Sequence, residues 1–373
     1  MKAEVLVDWL TFSVKTDNPD EVIRDWLGMD LALFESFPYG FDGYLLSKRF
    51  SSIFVCFNGY ADEAGEKEEK SGRESFFSRD DMGVCVSMSG EGRRAFERYS
   101  SVGFQQLFKK LVDNVSFKSD IKTGEFQGRD AKNSLCNVSR IDVACDEKTG
   151  LLDMSLMSRK AVDLDEFNSR MRNATDFRGK KGKEWTGHSI YIGSEKSDFR
   201  IRIYDKALEQ KQEGNWKQNV KGHWIRVEMV MKRENALGFI LQALKAESIG
   251  KLAAQVLNEK FRFIDRDDSN ISRCTVCDWW AAFVEEVGSV VIWSRMAVQS
   301  GIEKLADWLQ FQVSSSMAVV FQAYGAGYFY RNFIEYGEKR LNRRQEALLK
   351  DFNAQKAASV ARYQAAMAAR VCV

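Results

Sequence analysis

The sequence predicts an α+β fold in two parts: a sheet-forming region over residues 1–235 and a mainly α-helical region over 236–373. Three observations predict it. Short segments before 235 alternate apolar and polar residues with the period of two that a half-buried strand requires. Beyond about 233 the apolar spacing changes to the 3.6-residue period of helices. The chain has 373 residues and only 2 prolines, enough length for one large or two medium domains and too few prolines for long extended linkers.

In chain order, residues 3–15 alternate as a strand. Residues 19–35 begin at an Asn-Pro-Asp turn and continue as a helix. Residues 40–60 and 82–89 carry aromatic and β-branched alternation and read as strands. Residues 91–115 place Phe96, Phe104, Leu107, Leu111 and Val112 at helical spacing. Residues 117–134 are a loop or hairpin. Strands follow at 136–146, 198–205 and 223–232, with a helix at 151–160 and a basic loop, "RGKKGK" (178–183), between the first and second. Helices are expected at 234–246, 248–260 and 277–287, in pieces over 298–331, and over 333–370.

Composition excludes several classes. Apolar residues make up 45% and charged residues 29%, ordinary for a packed protein. No apolar run is long enough to cross a bilayer, so no membrane partner is expected. The opening "MKAEVLVDWLTFSV" carries Glu4 and Asp8 within its apolar stretch and reads as a strand, not an export signal. Seven scattered cysteines without such a signal suggest reduced thiols and a cytoplasmic location. The single "CTVC" (274–277) lacks the further ligands a zinc site needs. No glycine-rich phosphate loop is visible, so the chain is not expected to be its own helicase. Net charge is only +2. The basic loop, with Lys180 and Lys181, and "KRLNRRQEALLK" (339–350) are the stretches that could meet phosphates; a solvated loop and helix face is the plainer reading. Trp279, Trp280, Trp293 and Trp308 are expected in the core rather than as stacking surfaces.

Strand parity carries the chemistry. Side chains alternate between faces. Arg140, Asp142 and Asp146 therefore share one face of their strand, Arg200, Arg202 and Tyr204 one face of theirs, and Arg226 and Glu228 one face of the third. Each opposite face is largely apolar. If the three strands are neighbours, carboxylates, guanidiniums and one phenol meet on a single surface. Carboxylates hold a hard cation by oxygen, and guanidiniums grip phosphate in a bidentate way. A tyrosine can attack phosphorus once activated. Only His188 and His223 occur, so a histidine-pair metal site cannot form, and Mg²⁺ or Mn²⁺ on carboxylates is expected. Asp146 is a weaker ligand candidate than Asp142 and Glu228, and Asp8 is weaker still.

"SRIDVACDE" (139–147), "YIGSEKSDFRIRIYDK" (191–206) and "WIRVEM" (224–229) resemble, in order, three blocks of the replication initiation factor family. "VDWLTFSV" (7–14) resembles the first strand of its phage-type members. The resemblance covers roughly residues 5–235. The family initiates rolling-circle replication of small plasmids and some filamentous phages; related members are relaxases of integrative conjugative elements. The resemblance implies an antiparallel sheet of five or more strands flanked by helices, as in single-strand nicking endonucleases. It implies that Tyr204 nicks one DNA strand and keeps the 5′ end as a phosphotyrosine, with Asp142 and Glu228 as metal ligands and Lys196 as a phosphate contact. Arg140, Arg200, Arg202 and Arg226 would neutralise or position phosphate. Plasmid members commonly carry arginine where this chain has Glu195. Origin DNA, a host helicase and a homodimer are the implied partners, with origin recognition, oligomerisation or helicase docking falling to residues 236–373. Relaxases often carry a further DNA-binding domain before the first strand, so replication leads, a conjugative relaxase is the alternative, and a non-catalytic origin-binding repressor is the third reading.

Overall fold

The computed structural model describes residues 3–58, 82–119, 126–212, 222–290, 309, 313–341, 345–346 and 349. It divides into two compact units, Met1–Ser294 and Arg295–Val373.

The strands of the first unit are β1 (Glu4–Val14), β2 (Glu35–Phe37), β3 (Leu46–Phe50), β4 (Ile53–Phe57), β5 (Val84–Ser89), β6 (Phe117–Ser119), β7 (Phe126–Arg129), β8 (Cys136–Glu147), β9 (Phe167–Ser169), β10 (Ala174–Lys181), β11 (Glu184–Ile192), β12 (Phe199–Asp205), β13 (Ile225–Lys232), β14 (Phe261–Asp265) and β15 (Thr275–Val276). Ten of them form one sheet in the order β10-β11-β12-β13-β8-β1-β5-β4-β3-β2. Every pairing in it is antiparallel. This is the α+β architecture expected from the sequence, and the sheet is larger than five strands.

One face of the sheet is core. Ile141, Val143, Cys145, Ile201, Ile203, Val227 and Met229 are all fully buried. Helices Glu91–Tyr99, Phe104–Asp113, Arg233–Lys245 and Ile249–Lys260 supply the apolar partners, with Phe96, Leu107, Phe108, Leu111, Leu237, Ile240 and Leu257 buried. Removing that much apolar surface from water is the main stabilising term. The expected boundary at 235/236 falls within the first unit: helix Asp278–Gly288 carries Trp280 and Phe283 into the same core. Trp280 is fully buried and Trp279 packs against it, as expected; Trp293 and Trp308 lie outside the described residues.

Several elements differ from the sequence reading. The helix expected over 19–35 is one short stretch, Pro19–Trp26, started by Asn18 accepting from the backbone N–H of Asp20 and Glu21. A single turn at Leu31–Leu33 follows. The helix expected over 91–115 breaks at Ser100–Gly103, where the Ser100 hydroxyl bonds the Leu27 carbonyl instead of continuing the helix. The basic loop is the end of a hairpin, with Lys180 and Lys181 inside β10 and Gly182 in the turn at φ +64°.

In the second unit, two helical segments within Ser314–Phe329, separated by a kink at Gly325 (φ +78°), lead into helical turns Tyr330–Glu335 and Tyr336–Glu338. The helix expected over 333–370 lies largely outside the described residues. None of the described helices is long and apolar enough to cross a membrane.

Candidate active site

The antiparallel register makes the three charged strands neighbours. Tyr204 on β12 sits opposite Arg226 on β13, which sits opposite Asp146 on β8. The next row reads Arg202, Glu228, Ala144. The row after it reads Arg200, Val230, Asp142 and Trp9 of β1. Directly opposed residues share a face, so the phenol, the carboxylates and the guanidiniums occupy the face away from the core.

Strand β1 adds a fourth acid. Its register with β8 shifts between Val7 and Trp9, which leaves Asp8 as an extra, bulged residue. A bulge re-aims a side chain. Asp8 Oδ1 thereby reaches Arg226 Nη1 at 2.6 Å, while the Asp8 carbonyl accepts from Gly90 N–H.

The arginines divide into two kinds. Arg226 is buried and committed: Nε and Nη2 donate to the two oxygens of Asp146 at 2.6 and 2.8 Å, and Nη1 donates to Asp8. Arg140 donates to both oxygens of Asp142 at 2.8 and 2.5 Å and lies 4.3 Å above the Trp9 ring. Arg200 and Arg202 are different: the Nε atom of each is buried without a hydrogen-bond partner. Arg200 lies 4.1 Å over Tyr191, and Arg202 lies 4.1 Å over Tyr204. These two guanidiniums keep donors free for a phosphate.

The carboxylates divide as well. Both oxygens of Asp146 are used by Arg226, which together with the charge of Lys148 outweighs burial and holds its carboxyl below the usual range. Glu228 is the opposite case. Burial, reinforced by the charges of Asp8 and Asp142, pushes its pKa up to about 8. Its Oε2 is buried without a hydrogen-bond partner, the nearest cation being Arg202 Nη1 at 3.9 Å. Burial also raises Asp142 above the carboxylate range, against the opposing pull of Arg140 and a hydrogen bond from Glu228.

Two neighbouring buried carboxyls whose charged forms are both disfavoured are a poor arrangement for stability and a good one for a divalent cation. The orphaned Glu228 Oε2 suits such an ion; both Asp142 oxygens accept from Arg140, so that carboxyl would hold a cation only by sharing one of them. Among the described residues no group of three His, Cys, Asp or Glu side chains is arranged to hold a metal by itself. His223 accompanies Glu147 at 2.8 Å and His188 accompanies Asp176 at 2.8 Å, both away from this pair.

Tyr204 is only 3% exposed. Burial drives its phenol far above the ordinary value, and Arg226 in the adjoining register position pulls the other way.

The remaining sequence candidates lie apart. Lys196 is in the β11–β12 turn, at the far end of β12 from Tyr204. Gly193 opens that turn at φ +96°, and a Cβ there would meet Met171 Sδ at 2.8 Å. Lys232 Nζ donates to the Glu195 carbonyl at 2.8 Å, so the turn is fastened by the backbone of Glu195 rather than by its acid group. Lys180 and Lys181 are exposed at the hairpin end of edge strand β10, several rows beyond the row of Phe177, Ser189 and Tyr204, with Lys180 5.2 Å over Trp185. Sequence parity missed Trp9 and Tyr191, and it underweighted Asp8. The only signal for Asp8 was an acid inside an apolar strand.

A family model described as replication initiation factor matches residues 136–336. A second, described as the rolling circle replication initiation protein N-terminal domain, matches residues 4–111. The putative DNA relaxase NicK of Bacillus subtilis (strain 168) is 26% identical over 323 residues, spanning 85% of this chain and 81% of that protein. A rolling circle replication initiator protein from Geobacillus stearothermophilus shares the fold, with a TM-score of 0.59 and 24% identity over 77% of this chain and 97% of that one.

Proposed function

Since the chain belongs to the replication initiation factor family, we propose that it nicks one DNA strand at a replication origin by transesterification onto Tyr204. The observation that carries this reading is the row Tyr204, Arg226, Asp146 beside the orphaned carboxyl of Glu228.

The Tyr204 Oη–phosphorus bond forms as the bond to the 3′ oxygen breaks. The 5′ end stays on the tyrosine, the phenolic proton leaves to solvent, and the released 3′ oxygen takes one up. Asp142 and Glu228 are the residues that would hold a divalent cation, Mg²⁺ or Mn²⁺, which would supply Lewis-acid polarisation of a phosphoryl oxygen. Arg200 and Arg202 bind the phosphate with their free donors. Asp146 and Asp8 hold Arg226 in place beside the phenol, where its charge favours the tyrosinate. Lys180, Lys181 and Lys196 line the approach of the DNA backbone on two sides, and Arg140 keeps Asp142 oriented. Burial disfavours the tyrosinate and the neighbouring Arg226 favours it. The reverse reaction rejoins strands.

The similarity to NicK over most of both chains favours a second reading, a relaxase that nicks a mobile element with the same chemistry. A homodimer and a host helicase are the partners proposed for either role. The test is one gel. Labelled single-stranded origin DNA and Mn²⁺ are mixed with the protein, and a covalent adduct is sought under denaturing conditions. Wild type forms the adduct and Tyr204→Phe does not; equal adduct from both would remove Tyr204 as nucleophile. No adduct with any cognate origin would leave an origin-binding repressor.

A further inference from the structure

An open pocket of about 430 Å³ lies on the same sheet face as the carboxylates. Its walls come from four adjacent strands, with Trp9 and Thr11 of β1, Ser87 of β5, Phe54 of β4 and Arg140 of β8, and from Phe41 and the acid Asp42 in the β2–β3 connection, with Lys232 of β13 at its rim. The register explains why they meet. Phe54 pairs with Ser87, Ser87 with Thr11, Thr11 with Arg140, and Arg140 with Lys232, so five strands contribute one row of side chains. Trp9 sits one row over, opposite Asp142.

The chemistry of these walls is mixed in a specific way. Trp9 and Phe54 offer ring faces. Thr11 Oγ1 and Ser87 Oγ lie 3.2 Å apart, and either can donate or accept. Arg140 is tied to Asp142 below it and lies against Trp9, and Lys232 adds a second cation. Flat aromatic surface, bifunctional hydroxyls and flanking cations suit a nucleobase with its phosphate better than an aliphatic or purely anionic ligand. The volume falls in the range of about 300–1,000 Å³ usual for small-molecule sites.

Position decides which base. Displacement at phosphorus places the entering and leaving oxygens on opposite sides of the phosphorus atom. Tyr204 lies in the row of Arg226 and Asp146; Glu228 and Asp142 stand in the next two rows; the pocket's own row, from Lys232 through Arg140 to Phe54, comes after them. The carboxylates therefore separate the phenol from the pocket. Resting on the nicking reading above, we infer that the pocket receives the base immediately 5′ of the cut, the nucleotide that departs with the free 3′ hydroxyl. Holding that base after cleavage keeps the 3′ hydroxyl beside the phosphotyrosine for rejoining, and it makes this position a determinant of which sequence is cut.

The test is an abasic scan. A single-stranded oligonucleotide whose cut position has been mapped from a randomised pool is synthesised with one abasic site at each position in turn. Binding to Tyr204→Phe protein is measured by fluorescence anisotropy. Removing the base 5′ of the cut weakens binding by tenfold or more, and that penalty shrinks to less than twofold in proteins that also carry Phe54→Ala or Ser87→Ala. A penalty that persists unchanged in both variants, or one that moves to the 3′ side of the cut, overturns the assignment. If wild-type protein cuts no oligonucleotide, the nicking reading fails by itself. The scan on the best-bound member of the pool still decides the pocket, because a nucleobase site there requires one position whose penalty disappears with Phe54 or Ser87. Circular dichroism of Phe54→Ala, a partly exposed position, checks that the sheet is intact.

Discussion

Asp8 and Arg226 lie 218 positions apart in the chain, yet Asp8 Oδ1 and Arg226 Nη1 are 2.6 Å apart. With Asp146 they form a three-member ion network, buried at Arg226 and Asp146 and partly exposed at Asp8, beside Tyr204. Removing one partner of a buried pair strands the other charge and costs about 3–5 kcal/mol. Asp146→Asn, which breaks two bonds to a fully buried guanidinium, is expected to approach that figure in urea unfolding. Asp8→Asn, at a half-exposed site with one bond, is expected to cost about 1–3 kcal/mol. No measurable cost for Asp8→Asn would mean that Asp8 is not part of the network's support.

Tyr204→Phe keeps the ring beneath Arg202 and removes only the hydroxyl. Its unfolding midpoint is expected to stay within about 0.5 kcal/mol of wild type. A larger loss would make the hydroxyl a structural group, and the absence of adduct in that variant would then say nothing about chemistry.

Cation binding is expected to show as thermal stabilisation. Mn²⁺ at a hundredfold excess over its dissociation constant would add about 2.7 kcal/mol. Glu228→Gln and Asp142→Asn should each abolish the shift. Glu228→Gln should also raise the midpoint in EDTA, because it relieves the crowding of Asp8, Asp142 and Glu228. A Mn²⁺ shift that survives in both variants would place the ion elsewhere.

Arg202→Ala should weaken DNA binding about equally across sequences and reduce the slope of log K against log salt by about 1, as expected for one lost phosphate contact. Arg140→Ala should behave otherwise, because that guanidinium is tied to Asp142 rather than free. An unchanged slope for Arg202→Ala would remove it from the phosphate contacts.

Acid stability should depend on Glu147. Burial works against its charge, but the Thr149 hydroxyl at 2.6 Å, backbone N–H groups of Thr149 and Leu152, and His223 outweigh it and hold its carboxyl below the usual glutamate value. A depressed carboxyl contributes stability that is present above its unfolded value of about 4.5 and lost as pH falls through the lower folded one. Wild type should therefore lose stability below about pH 4.5 more steeply than Glu147→Gln, which is already weakened at neutral pH. Parallel acid curves would rule this contribution out.

Much of this molecule was legible in the sequence. Period-two alternation gave the charged strands and their shared face, because side-chain direction in a strand is fixed by parity alone. What parity cannot supply is a register. The bulge at Asp8 adds one residue to β1 and flips the acid onto the reactive face, and no composition signal marks it. Nor does a sequence say which arginine is spent on a carboxylate. Arg226 and Arg202 look equivalent on paper, but one is saturated by Asp146 and Asp8 and the other keeps a free Nε. The basic run at 178–183 read as a loop because lysine and glycine dominate it. Pairing of Arg178 with His188 and of Lys181 with Glu184 across the hairpin overrides that local preference.

The placement of β1 has a consequence for the order in which this surface is assembled. It is the first of these strands in the chain, yet it lies between β5 and β8, and it joins the half of the sheet matched over residues 4–111 to the half matched over 136–336. Until the strand seats, Asp8 and Trp9 are absent from the surface that carries Tyr204, and Arg226 lacks one of its two anchors. Pairings that span so much chain form late and cooperatively. A chain clipped past β1 would thus keep Tyr204 and Arg226 without Asp8 and Trp9 beside them, so this surface is complete only in the finished fold.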